Sequence, residues 1–452
     1  MATGPEYRYA WSGGAQVAYQ VVDGGGPDVL YVTTSIHPAD LLWDDPVAAR
    51  GLRRLAAGHR LLVCDGVGVG SSDPVAYGEM PALEAWVDGI GAVLDAAGSD
   101  QVSIVTSAEC GLPALLYAAG RPERVRSLVL WAPYARYERA PDHPVGMPST
   151  RIDRYLDDFV AIVGTGDLAA FMAPSRAGDE WFRSWWAKGE RLSTGRVYAG
   201  QILEVFLRSD VRPVLPSVHT PVLLVRRVDD WHVRQGHADG MLAALPDARL
   251  VELPGHDHEW FSGDADAVLD VVEDFLTGSR SAAPTNRSLA TILFTDIVGS
   301  TERAARMGDT EWSALLHRHD ALVARFVAGY RGRVVKSTGD GALALFDGPA
   351  RAIECARDLT LAVRDLGLEI RAGLHTGEVE HADDDVHGIA VHIAARVASV
   401  AGPGEVLVSA AVPPLVLGSG LRFEGRGTTD LKGVPEPWEV LEVCGATAPG
   451  DR

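Results

Sequence analysis

Phe294-Thr295-Asp296-Ile297-Val298-Gly299-Ser300-Thr301 and Lys336-Ser337-Thr338-Gly339-Asp340-Gly341 are the two stretches that decide the reading of this chain. Each carboxylate comes at or near the end of an apolar, β-rich run: Thr291-Ile292-Leu293-Phe294 before Asp296, and Gly332-Arg333-Val334-Val335 before Asp340. The Gly-Asp-Gly turn is followed by a second strand-like run, Ala342-Leu343-Ala344-Leu345-Phe346. That pattern predicts a β-hairpin with an acidic tip. Two carboxylates on adjacent strands suit hard divalent cations held against a polyphosphate.

Three further segments follow in order. They are Gly373-Leu374-His375-Thr376-Gly377-Glu378-Val379, then Asp385-Val386-His387-Gly388-Ile389-Ala390-Val391-His392-Ile393-Ala394-Ala395-Arg396, then Leu431-Lys432-Gly433. Together the five segments resemble the class III nucleotidyl cyclase domain, over roughly residues 288 to 445. The family wording is F-x-D-I-x-x-S-T, K-x-x-G-D-G, G-x-H-x-G-x-V, D-x-x-G-x-x-V-N-x-A-x-R and L-K-G. The chain departs from it at His392, where the family has Asn. Any one segment alone is weak; five in the correct order at compatible spacing are specific.

Composition agrees with a chain of two or three domains: 452 residues, 47% apolar and 23% charged. A net charge of −20 excludes broad nucleic-acid binding through phosphate contacts. Cys64, Cys110, Cys355 and Cys444 lie far apart without ligand spacing, as expected of reduced core thiols. The first residues have neither a basic start nor an apolar core, so no signal peptide is expected. No apolar run approaches the ~18 residues that span a bilayer. A cytoplasmic protein without a membrane span is the expectation.

Residues 279–287 have linker composition, small, polar and Pro-containing. Ala265 to Leu276 before them reads as an amphipathic helix that closes a domain of residues 1–278. That domain alternates short apolar strands (Val29–Val32, Arg60–Cys64, Val102–Val105, Ser127–Leu130, Val222–Val225) with helical stretches, which predicts a mainly parallel sheet covered by helices. Asp65-Gly66-Val67-Gly68-Val69-Gly70-Ser71-Ser72-Asp73, Arg121-Pro122-Glu123-Arg124-Val125 and Leu253-Pro254-Gly255-His256-Asp257-His258 resemble the α/β-hydrolase fold. Residues 137–215 fall where that family places a helical lid. Trp181, Phe182, Trp185 and Trp186 form an aromatic stripe there, read either as lid packing or as the wall of an apolar ligand pocket.

The hydrolase resemblance implies a nucleophile elbow, G-x-S-x-G, on a sharp strand-to-helix turn. Here the elbow is Thr106-Ser107-Ala108-Glu109-Cys110, and Ala108 stands at the nucleophile position. Asp230 and His258 fall at the acid and base positions. The oxyanion-loop wording is replaced by Val32-Thr33-Thr34-Ser35. A non-catalytic domain is therefore expected, with a hydrolase acting through Ser107 or Glu109 as the alternative.

The expected fold class is thus α/β: an α/β-hydrolase-like domain with a helical lid, followed by an α+β class III cyclase domain over 288–445. The cyclase resemblance implies that Asp296 and Asp340, with the Ile297 carbonyl, hold two Mg²⁺ or Mn²⁺ ions. Arg396 would stabilise the transition state, and Lys432 would hold terminal phosphates. Lys336 and Asp385 stand at the base-selecting positions in the residue types that favour ATP. His392 takes the ribose-orienting position. Family members place the metal aspartates and the Arg396-type residue on opposite protomers, so a homodimer with two composite sites is implied. Two function classes follow. One is an adenylate cyclase whose hydrolase-like domain senses an apolar small molecule or shapes the dimer. The other is an esterase- or lipase-like hydrolase with a regulatory nucleotide-binding domain.

Overall fold

The computed structural model describes residues 4–75, 80, 82–278, 286–382, 385–429 and 437–444. The chain divides into two compact units, Met1–Thr285 and Asn286–Arg452. Residues 279–285 of the expected linker lie outside the described residues, and so does Lys432. Arg287, the last residue assigned to the linker, already belongs to a strand.

The first unit is built on β1 (Tyr7–Ser12), β2 (Ala15–Asp23), β3 (Asp28–Val32), β4 (Arg60–Cys64), β5 (Val102–Ser107), β6 (Val125–Trp131), β7 (Val222–Arg227) and β8 (Ala248–Leu253). Their order in the sheet is β1-β2-β4-β3-β5-β6-β7-β8. β2 runs antiparallel to β1 and β4, and the other pairings are parallel. β5, β6 and β7 are almost wholly buried, as near-continuous apolar runs covered on both faces should be. β1, β2 and β8 escaped the sequence reading: β1 and β8 are half-exposed edge strands with weak apolar content.

Helices Ser149–Ile162, Ala169–Met172, Glu180–Ser193 and Arg196–Arg208 make up most of the segment expected to be the lid. Phe182, Trp185 and Trp186 are buried, whereas Trp181 is exposed. Trp185 and Trp186 pack on His37, and Trp185 also meets Phe261 edge-on. Of the two readings of the stripe, the structure supports packing. Helix Ala265–Gly278 closes the unit, and its acidic face meets Arg54, which bonds Glu273 and Asp270.

The second unit contains β9 (Arg287–Ile297), β10 (Arg333–Ser337), β11 (Gly341–Phe346), β12 (Ile370–Ala382), β13 (Asp385–His387), β14 (Val406–Ser409), β15 (Arg422–Thr429) and β16 (Trp438–Cys444). The sheet order is β10-β11-β9-β12-β14-β16-β15, with β13 added to β12. Alternation divides β9 between the two faces. Leu293 and Ile297 join the core that includes Leu315 and Val323 of helix Asp309–Gly329 and Ile353 and Leu359 of helix Pro349–Ala362. Ile292 faces the other way, toward Ala390 and Ala394 of helix Ile389–Val400. That helix sits unusually close to the sheet. A Cβ at Gly373 would lie 2.0 Å from the Ala398 backbone nitrogen, so only glycine fits there.

All four cysteines are free, three of them buried. Among the described residues, no helix is long and apolar enough to cross a membrane.

Candidate functional site

β10 and β11 form the expected hairpin, with Asp340 in its tip. β11 pairs with β9 so that Gly341 faces Asp296, and the Ile297 N–H donates to the Asp340 carbonyl at 2.8 Å. A Cβ on Gly341 would come within 1.9 Å of the Thr295 carbonyl oxygen. The glycine after Asp340 is therefore what lets the acidic tip close onto the end of β9. Asp296, Ile297 and Asp340 are brought together as the sequence implied.

Each carboxylate has a partner that sequence reasoning missed. Arg371 on β12 is the cross-strand neighbour of Asp296 and grips its Oδ2 through Nε at 2.8 Å and Nη2 at 2.5 Å. The same guanidinium donates to the Ser399 carbonyl at 3.3 Å, near the end of helix Ile389–Val400. Asp340 Oδ2 accepts from the Ser300 hydroxyl at 2.5 Å. Ser300 was inside the quoted motif, and Arg371 is two residues before another. Their roles depend on strand register, which neither spacing nor residue type discloses.

Lys336 and Asp385, 49 residues apart, meet in the structure. Lys336 Nζ lies 2.8 Å from Asp385 Oδ1 and 2.6 Å from Oδ2. The ammonium, followed by the Val386 N–H, holds the Asp385 carboxyl below its usual range. Both side chains remain partly open to solvent, so a ligand can reach them.

His392 and Arg396 lie one helical turn apart on the exposed face of helix Ile389–Val400. The opposite face carries Ala390, Ile393, Ala394 and Val397 into the core. Ile389 and Val400 at the two ends of the helix are also exposed. His375, by contrast, is a core residue: burial lowers its pKa to about 4, and Nδ1 bonds the Ser409 hydroxyl at 2.7 Å.

Among the described residues, no group of three or more His, Cys, Asp or Glu side chains is arranged to hold a metal ion. Asp296 and Asp340 supply two carboxylates and Ile297 a backbone carbonyl. That hard oxygen set fits Mg²⁺ or Mn²⁺ only when other ligands, such as phosphate oxygens and water, complete the shell.

Residues 283–442 match the family of the adenylate and guanylate cyclase catalytic domain. The second unit is a class III cyclase domain. The chain is 32% identical over 163 residues to a putative adenylate cyclase 3 of Rhizobium meliloti, covering 34% of this chain and 28% of that protein. It is also 32% identical over 158 residues to a pimeloyl-[acyl-carrier protein] methyl ester esterase of Nitrosomonas europaea, covering 33% of this chain and 62% of the esterase. The chain thus matches less than two thirds of either relative. A hydrolase from Oleispira antarctica superposes with a TM-score of 0.52 at 17% identity, covering 58% of this chain and 94% of that one. That likeness shows the fold of the first unit, an α/β-hydrolase fold followed in the chain by the cyclase domain.

In the hydrolase-fold unit, Ala108 follows β5 directly and has φ +43°, with helix Gly111–Gly120 beginning three residues later. A non-glycine residue pays for a left-handed conformation, so the sharp elbow persists without its nucleophilic atom. Asp230 Oδ2 and His258 Nδ1 are 2.9 Å apart. Burial opposes charge on His258, yet Asp230, Glu259 and Glu109 together raise its pKa to about 9. Arg227 donates to the carbonyls of Asp257 and Glu259 at 3.0 and 2.9 Å and so fixes the loop that carries the histidine. Ser107, the last residue of β5, is buried and lines the same cavity as Ala108 and His258.

Proposed function

We propose that the cyclase unit converts ATP to 3′,5′-cAMP and pyrophosphate at two composite sites of a homodimer. In this reading the ribose 3′-oxygen attacks the α-phosphorus, the bond to the β-phosphate breaks, and the 3′-hydroxyl proton leaves. Bound divalent cations supply a lowered pKa at the 3′-hydroxyl and charge neutralisation at the phosphates. Asp296, Asp340 and the Ile297 carbonyl would hold them. Ser300 fixes the Asp340 carboxylate, and Arg371 fixes that of Asp296. Lys432 holds the terminal phosphates.

The observation that carries the ATP reading is the Lys336–Asp385 contact. A lysine donating to adenine N1 and a carboxylate accepting from the N6 amino group make a pair that guanine does not satisfy, because guanine presents an N1–H donor and an O6 acceptor there. Exchanging the pair tests this. Lys336→Glu with Asp385→Cys lowers kcat/KM for ATP roughly 10- to 100-fold and raises that for GTP, because unpaired polar groups in a base pocket are costly. A double variant that keeps its ATP preference would place base selection elsewhere.

Arg396 and His392 support the dimer. They project from the helix face that the protomer leaves open, where they are available to complete a partner's site. Arg396 offers a forked donor to the pentavalent phosphorus, and His392 one hydrogen bond toward the ribose. The hydrolase-fold unit is then a non-catalytic partner of the cyclase, able to bind a small molecule and bias the dimer. Ala108 disfavours the alternative, an esterase with a regulatory nucleotide domain, because the elbow carries no nucleophilic atom.

A further inference from the structure

A cavity of about 40 Å³ adjoins Ala108 in the hydrolase-fold unit. That is room for a head group the size of a few waters. Its polar wall is Thr34, Ser35, Ser107, Glu109, His258 and Glu259, and its apolar wall includes Phe159, Met172 and Leu203. Glu109 Oε1 accepts from the Ser35 hydroxyl at 3.1 Å and lies 3.4 Å from the Ser35 N–H. Ser35 belongs to the loop after β3, where a hydrolase of this fold presents an oxyanion-binding N–H. An internal carboxylate therefore faces the donor that an ester's developing oxyanion would use.

Glu259 is the stronger sign. It is 4% exposed and lines the cavity. Among the described residues its carboxylate makes no hydrogen bond, and its nearest ion-pair contact is His37 Nδ1 at 3.9 Å. His37 is buried, and burial depresses its pKa to about 3, so it brings no charge. A buried carboxylate without a partner costs several kcal/mol unless neutralised. Burial accordingly raises Glu259 to about 7, with Glu109 and Asp230 adding to the rise against the opposing pull of His258 and Arg227. The two cations near Glu259 are committed elsewhere: His258 to Asp230, and Arg227 to the backbone carbonyls of Asp257, Glu259 and Ser262. Among the described residues, neither lining glutamate, Glu109 or Glu259, is therefore paired with a cation.

We propose that this cavity binds a small organic cation, an ammonium head with a short apolar tail, rather than an ester or a carboxylic acid. The head would donate to Glu259 and Glu109. The tail would lie against Phe159, Met172 and Leu203, the last two from different lid helices. The proposal rests on the reading of this unit as non-catalytic and gives its effector a chemical class.

The test is a ligand-observed NMR titration of the full chain with butylammonium, butyrate and 1-butanol, three heads on one tail length. Butylammonium binds at least about tenfold more tightly than either of the others, as a charge-assisted bond to a buried carboxylate requires. Glu259→Gln, checked for folding by its melting transition, brings butylammonium to within about threefold of butanol. Equal or tighter binding of butyrate or butanol by the wild type overturns the proposal, whatever the variant does. A tenfold preference that survives in folded Glu259→Gln overturns it too. Hydrolysis of p-nitrophenyl butyrate by the wild type, lost in His258→Ala, would instead sink the non-catalytic premise. No hydrolysis together with no ammonium preference would sink the proposal alone.

Discussion

Asp340→Ala is expected to lower cyclase turnover by at least ~10³-fold, because in the proposed mechanism it removes a ligand to cations whose charge acts on the transition state. The loss is not a folding loss. Among the described residues, the Asp340 carboxylate bonds only Ser300, at the rim of the helix that Ser300 begins, while its backbone carbonyl keeps the bond from Ile297. Melting should shift by no more than about 1 kcal/mol in stability, the usual scale for a surface turn residue. Asp296→Ala is a less clean probe, since it strands the Arg371 guanidinium that now grips its carboxylate. Purified Asp340→Ala, assayed beside wild type under saturating Mn²⁺, decides the matter. Wild-type-like turnover would remove Asp340 from the metal site.

The second large effect is a recovery. Asp296→Ala and Arg396→Ala are each nearly inactive alone, because every site in such a dimer lacks one essential group. Mixed together they regain about a quarter of wild-type activity at random pairing. In the mixed dimer one site collects both substitutions and the other collects none. The observation behind this expectation is the exposure of Arg396 beside His392 on one helix face. Asp296 is bound to Arg371 of its own protomer, and Arg396 is left exposed. Absence of recovery, with mixed dimers demonstrated by differently tagged chains, would show that one protomer builds the site by itself.

Much of this site is legible in the sequence. A glycine-flanked Asp after a β-branched run specifies a hairpin tip, because turn chemistry and strand pattern are local. The pairing of Lys336 with Asp385 could not be read from spacing; it came from family resemblance, and the structure shows the two in contact. Arg371 was missed for a physical reason. Its partner is fixed by the register of β12 against β9, a long-range property that the local pattern around Gly373 does not encode. β1 and β8 were missed because edge strands lack the continuous apolar run that marks β5 to β7. In the hydrolase-fold unit, the absence of a nucleophile at Ala108 was visible in one residue. The role of Glu109, one residue later, was not, since its contact with Ser35 joins two loops 74 residues apart.

The central claim concerns the product. Purified full-length protein with ATP and Mn²⁺ should release 3′,5′-cAMP and pyrophosphate in equal amounts, and with GTP should release little cGMP. Both products, measured by chromatography over the same time course, give the predicted result when cAMP dominates and Asp340→Ala abolishes it. Cyclic product that persists in Asp340→Ala, a preference for GTP, or no cyclic product from a folded dimer would contradict the account.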